Sequence, residues 1–137
     1  MIDKEQMDAL YIEAQKIAMS AYAPYSNFRV GAALLCEDGT VVKGVNVENR
    51  SYGMTVCAER NAVAAAITMG KRRFLALAIS TPDSAEPVGP CGACRQVISE
   101  FTAPDMPIRF AGSGKKQVNT TIGELLPLDS LHDLNKN

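Results

Sequence analysis

The chain contains no tryptophan, a single histidine, and only four tyrosines and four phenylalanines among its 137 residues. It also lacks an excess of charge of either sign, with 14 basic residues (Lys and Arg) against 15 acidic ones (Asp and Glu) and a formal net charge of −1. Without a global field to attract polyanions or anionic lipid, neither a nucleic-acid partner nor a membrane partner is expected. No apolar run is long enough to cross a bilayer: the longest, Phe74 to Ile79, falls far short of the roughly 20 residues required. The chain opens Met1-Ile2-Asp3-Lys4-Glu5, charged from the start and without the apolar run of a secretory signal. The expectation is a single cytoplasmic domain over residues 1–137, too short for two full cores, with a polar tail after about residue 128 that is loosely held.

Cysteine is scarce as well, but its four positions, Cys36, Cys57, Cys91 and Cys94, are informative. In a reducing compartment, closely spaced cysteines serve metal or redox chemistry more often than disulfides. His132 lies in the polar tail and reads as solvated, so a metal site would have to be built mainly from thiolates. Cys36 ends a strand-like run away from the other three and reads as a small core or rim residue.

Periodicity supplies the architecture. Met7, Leu10, Ala14, Ile17, Ala18 and Ala21 recur at helical spacing, predicting an amphipathic helix over 3–21 that must stop before Pro24. Strand-like runs at Val30–Leu35 and Val41–Val47 flank Glu37-Asp38-Gly39-Thr40, a hairpin signal. An alanine-rich helix over 57–69 follows, with Thr55 as a possible N-cap and Gly70 behind it. Phe74–Ile79 reads as a central strand, Thr81–Pro90 as a proline-rich loop, 91–101 as a helix and Ile108–Ala111 as a strand. Gln117-Val118 suggests an edge strand, and Thr121 with Glu124 a capping box opening a short helix through Leu126. This order implies an α/β fold, a three-layer α/β/α arrangement around a mixed, roughly five-stranded sheet. Right-handed crossovers would start the helices near Cys57 and Cys91 at the same end of adjacent strands, where ligands of open α/β sheets collect.

Cys91-Gly92-Ala93-Cys94 alone is ambiguous between a zinc half-site and a redox dithiol, and buried structural cysteines are a third reading. Cys57-Ala58-Glu59-Arg60 shifts the balance. A glutamate two residues beyond a cysteine on a first helical turn cannot easily share its metal, but can reach towards a ligand in an open coordination position. Three thiolates plus one open position is the pattern of a catalytic rather than a structural zinc. Three thiolates leave Zn²⁺ with a formal charge of about −1. Helix N-termini would offset part of that, and Arg60 could offset more by donating to sulfur.

Cys57-Ala58-Glu59-Arg60 followed by Pro90-Cys91-Gly92-Ala93-Cys94-Arg95-Gln96 resembles the zinc signature of the cytidine deaminase family. The likeness continues through Ala23-Pro24-Tyr25-Ser26-Asn27-Phe28, Val30-Gly31-Ala32-Ala33, Asn46-Val47-Glu48-Asn49 and Ser51-Tyr52-Gly53, in the family's order. It covers roughly residues 5 to 127 and points to the small, tetrameric free-nucleoside type.

The resemblance implies one zinc per chain held by Cys57, Cys91 and Cys94 with water as the fourth ligand, and Glu59 as the proton shuttle for hydrolysis of cytidine and deoxycytidine to uridine and deoxyuridine. It further implies that Asn46 and Glu48 bind ribose hydroxyls and that Phe28 packs on the pyrimidine. The Ala58 N–H would bind the C2 carbonyl, and Tyr52 would complete a neighbouring subunit's pocket in a homotetramer with shared active sites. Three of these residues have a plainer role beside this one: Phe28 as strand core, Asn46 as a turn former, Arg60 as a surface helix residue. The chain departs from the family pattern after Leu125-Leu126-Pro127, where Leu128-Asp129-Ser130-Leu131 follows without the family's aromatic: either an aliphatic residue such as Leu128 substitutes, or that wall of the pocket is open. A polynucleotide-editing relative, a non-catalytic zinc module and a deaminase of a cytosine-nucleoside antibiotic are the rival readings.

Overall fold

The computed structural model describes residues 1–132 and 134. Helix α1 (Lys4–Ala18) begins with a reciprocal cap: Gln6 N–H donates to the Asp3 carboxylate and Asp3 N–H donates to the Gln6 side chain, each at 2.9 Å. It ends at Ala18 rather than Ala21, because Tyr22 leaves the helix to bridge Val47, its N–H donating to Asn46 O at 3.0 Å. Strands β1 (Gly31–Cys36) and β2 (Val41–Val45) form the expected hairpin, with Gly39 at φ +90 supplying the left-handed turn that the Asp-Gly pair signals. A short 3-10 turn, Tyr52–Met54, precedes α2 (Ala58–Thr68). Then come β3 (Phe74–Thr81), α3 (Gly92–Ser99), β4 (Pro107–Gly112), β5 (Gln117–Thr121) and α4 (Ile122–Leu125), the last capped by Thr121 as its sequence suggests.

The five strands form one mixed sheet in the order β2-β1-β3-β4-β5. Strand β1 is antiparallel to both neighbours, β3 and β4 are parallel, and β5 is antiparallel to β4. The carboxyl ends of β2 and β3, which feed α2 and α3, therefore point the same way. They are not adjacent, as the sequence pattern suggested; β1 lies between them, so the α2 crossover spans two strand positions. The helix starts still meet, because α2 and α3 pack side by side on one face.

Alternation along the strands sorts the core into two layers. Ala33, Ala76 and Ala78 face α1 and meet Met7, Leu10 and Ala14. Leu34, Val42, Leu77, Ile79 and Ile108 face the other helices and pack with Ala62, Val63, Ala66, Cys94, Ile98 and Ile122. Cys36 is 1% exposed and belongs to this second layer. Each large aliphatic buried here contributes roughly 1.5–3 kcal/mol. Gly44 sets the closeness of α2 to the sheet: a Cβ there would lie 2.4 Å from Ala62 N and 2.5 Å from Ala58 O. Its missing side chain lets the first turns of α2 settle on β2, which positions the residues at that helix's start.

Candidate active site

Cys57 is the N-cap of α2 and Cys91 the N-cap of α3, while Cys94 lies in the first turn of α3. Their sulfurs all lie within 4.8 Å of one another, with Cys57 Sγ 3.9 Å from Cys91 Sγ and Cys91 Sγ 3.5 Å from Cys94 Sγ. Among the described residues no other group of three metal-ligating side chains gathers in this way. Neither N-cap cysteine makes a side-chain capping bond, so both sulfurs stay turned to the cluster. The positive ends of two helix dipoles converge on them.

Arg60 Nη2 donates to Cys57 Sγ at 3.4 Å, while Arg60 Nε is buried without a partner. A half-buried guanidinium set against sulfur fits an anionic thiolate cluster. The thiol of Cys94 donating to Cys57, and then the Arg60 charge, bring the Cys57 thiol down to about 5. The same hydrogen bond, with burial, pushes the Cys94 thiol up. Cation binding would require all three thiols to lose their protons. Three soft thiolates in reach of one centre suit zinc.

The cluster borders a cavity of about 400 Å³ lined by Phe28, Asn46, Glu48, Cys57, Ala58, Glu59 and Cys91, together with Ser26, Val30, Thr55, Ile79, Thr81, Val88 and Gly89. That volume lies within the range of small-molecule pockets. Glu59 is 5% exposed, and burial pushes its carboxyl up to about 7, with the Cys57 charge adding to the effect. A carboxyl poised near neutrality can take a proton and return it. Ala58 is fully buried at the start of α2, where first-turn N–H groups lack helical acceptors.

Asn46 and Glu48 lie just beyond β2 and both border the cavity, yet each also holds its rim. Asn46 Nδ2 donates to Phe28 O and Asn46 Oδ1 accepts from Val30 N–H, both at 2.8 Å. The Glu48 carboxylate accepts from Tyr25 N–H at 3.0 Å, Ser26 N–H at 3.1 Å and the Ser26 hydroxyl. These bonds, led by the Ser26 hydroxyl, hold its carboxyl below the usual range. Tyr52 is not in this cavity; it is 75% exposed, stacks edge-on against Tyr25 at 5.9 Å, and lines a neighbouring hollow with Ser26, Glu48 and Thr55. Leu128 is almost wholly exposed and borders neither hollow.

Sequence reasoning assigned no role to Ile79, Thr81, Val88 or Gly89. The first two could have been found by alternation, since 79 and 81 share the face of Leu77 at the carboxyl end of β3. The loop residues Val88 and Gly89 carry no periodic signal.

Three thiols and a buried carboxyl facing one cavity beyond the carboxyl ends of the sheet make a site that could hold a metal with one coordination position left open. The family model described as "Cytidine and deoxycytidylate deaminase zinc-binding region" matches residues 4–109. The chain is 49% identical over 121 residues to a cytidine deaminase of Sporosarcina psychrophila, covering 88% of each chain. It is 46% identical over 115 residues to one from Halalkalibacterium halodurans, covering 84% of this chain and 86% of the other. The crystal structure of cytidine deaminase from Burkholderia pseudomallei superimposes with a TM-score of 0.84 at 44% identity, over 88% of this chain and 96% of the other. The chain belongs to the cytidine and deoxycytidylate deaminase zinc-binding family.

Proposed function

We propose that this chain hydrolyses cytidine and deoxycytidine to uridine and deoxyuridine, releasing one ammonia for each water consumed. The observation that carries the reading is the buried Glu59 carboxyl, opening on the same nucleoside-sized cavity as the three thiols. The zinc that Cys57, Cys91 and Cys94 would hold supplies an activated water nucleophile at neutral pH. Glu59 accepts a proton as water adds to C4, passes it to N3, and then moves a proton to the leaving amine. Proton transfer of this kind contributes about 10²–10⁴-fold. Arg60 offsets the negative charge on sulfur.

The Ala58 N–H meets the C2 carbonyl, and Phe28 packs on the ring. Asn46 and Glu48 bind the ribose hydroxyls with the lone pairs and protons left over from holding the rim. The acidic Glu48 disfavours a 5′-phosphate, so nucleosides are preferred over nucleotides.

The working form is a homotetramer with shared active sites. Tyr22, Tyr25, Val47, Tyr52 and Met54 are all exposed beside the rim, with Tyr22 bridged to Val47 and Tyr25 stacked on Tyr52. An apolar surface of this kind is normally covered. The four cysteines are free, which suits a reducing cytoplasm, where the product enters pyrimidine salvage. Among the described residues no helix is long and apolar enough to cross a membrane.

An ultraviolet assay of zinc-quantified protein on cytidine, deoxycytidine, cytosine and deoxycytidine monophosphate tests the reading. Turnover of the first two with stoichiometric ammonia supports it. One zinc per chain with turnover only of the monophosphate, or of none of the four, refutes the substrate assignment.

A further inference from the structure

We propose that Arg95 is a positioning residue that holds Cys91 in the three-thiol cluster by fixing the loop that delivers it, an inference resting on the zinc site proposed above. Cys91 differs from its two companions: Cys94 is buried in α3 and Cys57 is half-buried, whereas Cys91 is exposed. It stands where the proline-rich loop after β3 becomes α3, and its own side chain makes no capping bond. Its position must therefore be set through the backbone on either side.

On the helix side, Arg95 N–H donates to Cys91 O at 3.0 Å, an ordinary helical bond. On the loop side, Pro90 is fully buried and has no N–H, so its carbonyl is the last main-chain polar group available before Cys91. Arg95 Nε donates to that carbonyl at 2.7 Å. The other arm of the same guanidinium, Nη1, donates to Leu125 O at 2.9 Å, a carbonyl at the end of α4 with no helical partner.

Arg95 thus pins the entry to Cys91 to a second, separate helix. A rigid fork of donors is needed to reach two carbonyls in different directions, and a lysine ammonium on a flexible stem does not reproduce it. Leu125 directly precedes Leu126-Pro127-Leu128, so the same side chain sets the register of the carboxyl-terminal segment against the metal loop.

The test measures zinc transfer from the loaded holoprotein to excess 4-(2-pyridylazo)resorcinol, well below each variant's unfolding midpoint, for wild type, Arg95→Gln and Arg95→Lys. Arg72→Gln serves as control: it removes a guanidinium that bonds Ile67 O and Lys71 O at the far end of α2. Loss of a hydrogen-bonding partner behind a metal ligand typically costs about 10–100-fold in affinity. Folded Arg95→Gln should release zinc faster by that factor, Arg95→Lys by less, and the Arg72 variant at the wild-type rate. Turnover number should fall in the Arg95 variants with little change in KM. If Arg95→Gln does not fold, Arg95→Lys carries the comparison.

Wild-type release from a folded Arg95 variant, or equal acceleration in the Arg72 control, overturns the proposal. Because release is read without substrate, a wild type that holds zinc but turns over no nucleoside leaves this result standing while the substrate reading falls. A wild type that binds no zinc defeats both.

Discussion

Asn46 bonds across to the segment that carries Phe28: its amide donates to the Phe28 carbonyl and its carbonyl oxygen accepts from Val30 N–H, both at 2.8 Å. One side chain thereby fixes the rim of the cavity as well as bordering it. The two roles have separable consequences. Asn46→Ala leaves the part-buried Val30 N–H and Phe28 C=O without these partners, which costs up to about 1–3 kcal/mol for each group that water does not reach. Thermal unfolding should shift down by several degrees. The same variant should show a raised KM for cytidine, with zinc content unchanged. An unshifted midpoint would contradict the structural role.

Glu59 offers the sharper chemical test. Glu59→Gln keeps the volume of a buried side chain that packs at the start of α2, so fold and zinc content should persist. Removing its proton transfer should lower kcat by at least about two orders of magnitude. Single-turnover kinetics on zinc-matched samples would measure this, and near-normal turnover would remove Glu59 from the mechanism.

The approach of α2 to the sheet depends on Gly44. Gly44→Ala would drive a methyl to 2.4 Å from Ala62 N and 2.5 Å from Ala58 O, both backbone atoms that cannot rotate away. Overpacking of this kind costs roughly 1–3 kcal/mol or more. Since the displaced segment carries Cys57 and Glu59, activity should fall with stability. Denaturant unfolding together with a zinc assay would detect both losses, and a fully stable, fully active variant would contradict the packing.

Much of this was legible in the residues themselves. The order of helices and strands follows from periodicity and turn chemistry, and the meeting of Cys57 with Cys91 and Cys94 follows from crossover topology. The interposition of β1 between β2 and β3 was not legible, because strand order depends on which edges pair and local patterns do not encode it. The end of α1 at Ala18 was hidden for a similar reason: Ala21 fits the helical stripe, but the bridge between Tyr22 and Val47 pulls the chain out first. Arg95 stood in plain view inside the zinc motif, yet its partners Pro90 and Leu125 are backbone carbonyls, which leave no mark in sequence.

Acid stability should report on the pair that ties the rim to the loop after β3. Arg29 Nε and Nη2 donate to the two Asp83 carboxylate oxygens at 2.9 and 2.7 Å, and Arg29 N–H adds a third bond at 2.9 Å. The Arg29 side chain, then its backbone N–H, holds the Asp83 carboxyl down to about 2, from an ordinary 3.8. A depressed carboxyl stabilises the fold above its ordinary value and loses that contribution as pH falls towards about 2. Wild type should therefore unfold at a higher temperature than Asp83→Asn at pH 6, and the gap should close between about pH 4 and pH 2. A gap that stays constant over that range would exclude the pair as its source.

Zinc-edge X-ray absorption on the purified holoprotein tests the catalytic character of the site most directly. Three sulfurs at about 2.3 Å and one light-atom ligand, with the light atom changing when a cytosine nucleoside analogue is added, are expected of an open three-thiolate centre. Four sulfurs, or a fourth ligand indifferent to the analogue, would mark a closed structural site and contradict it.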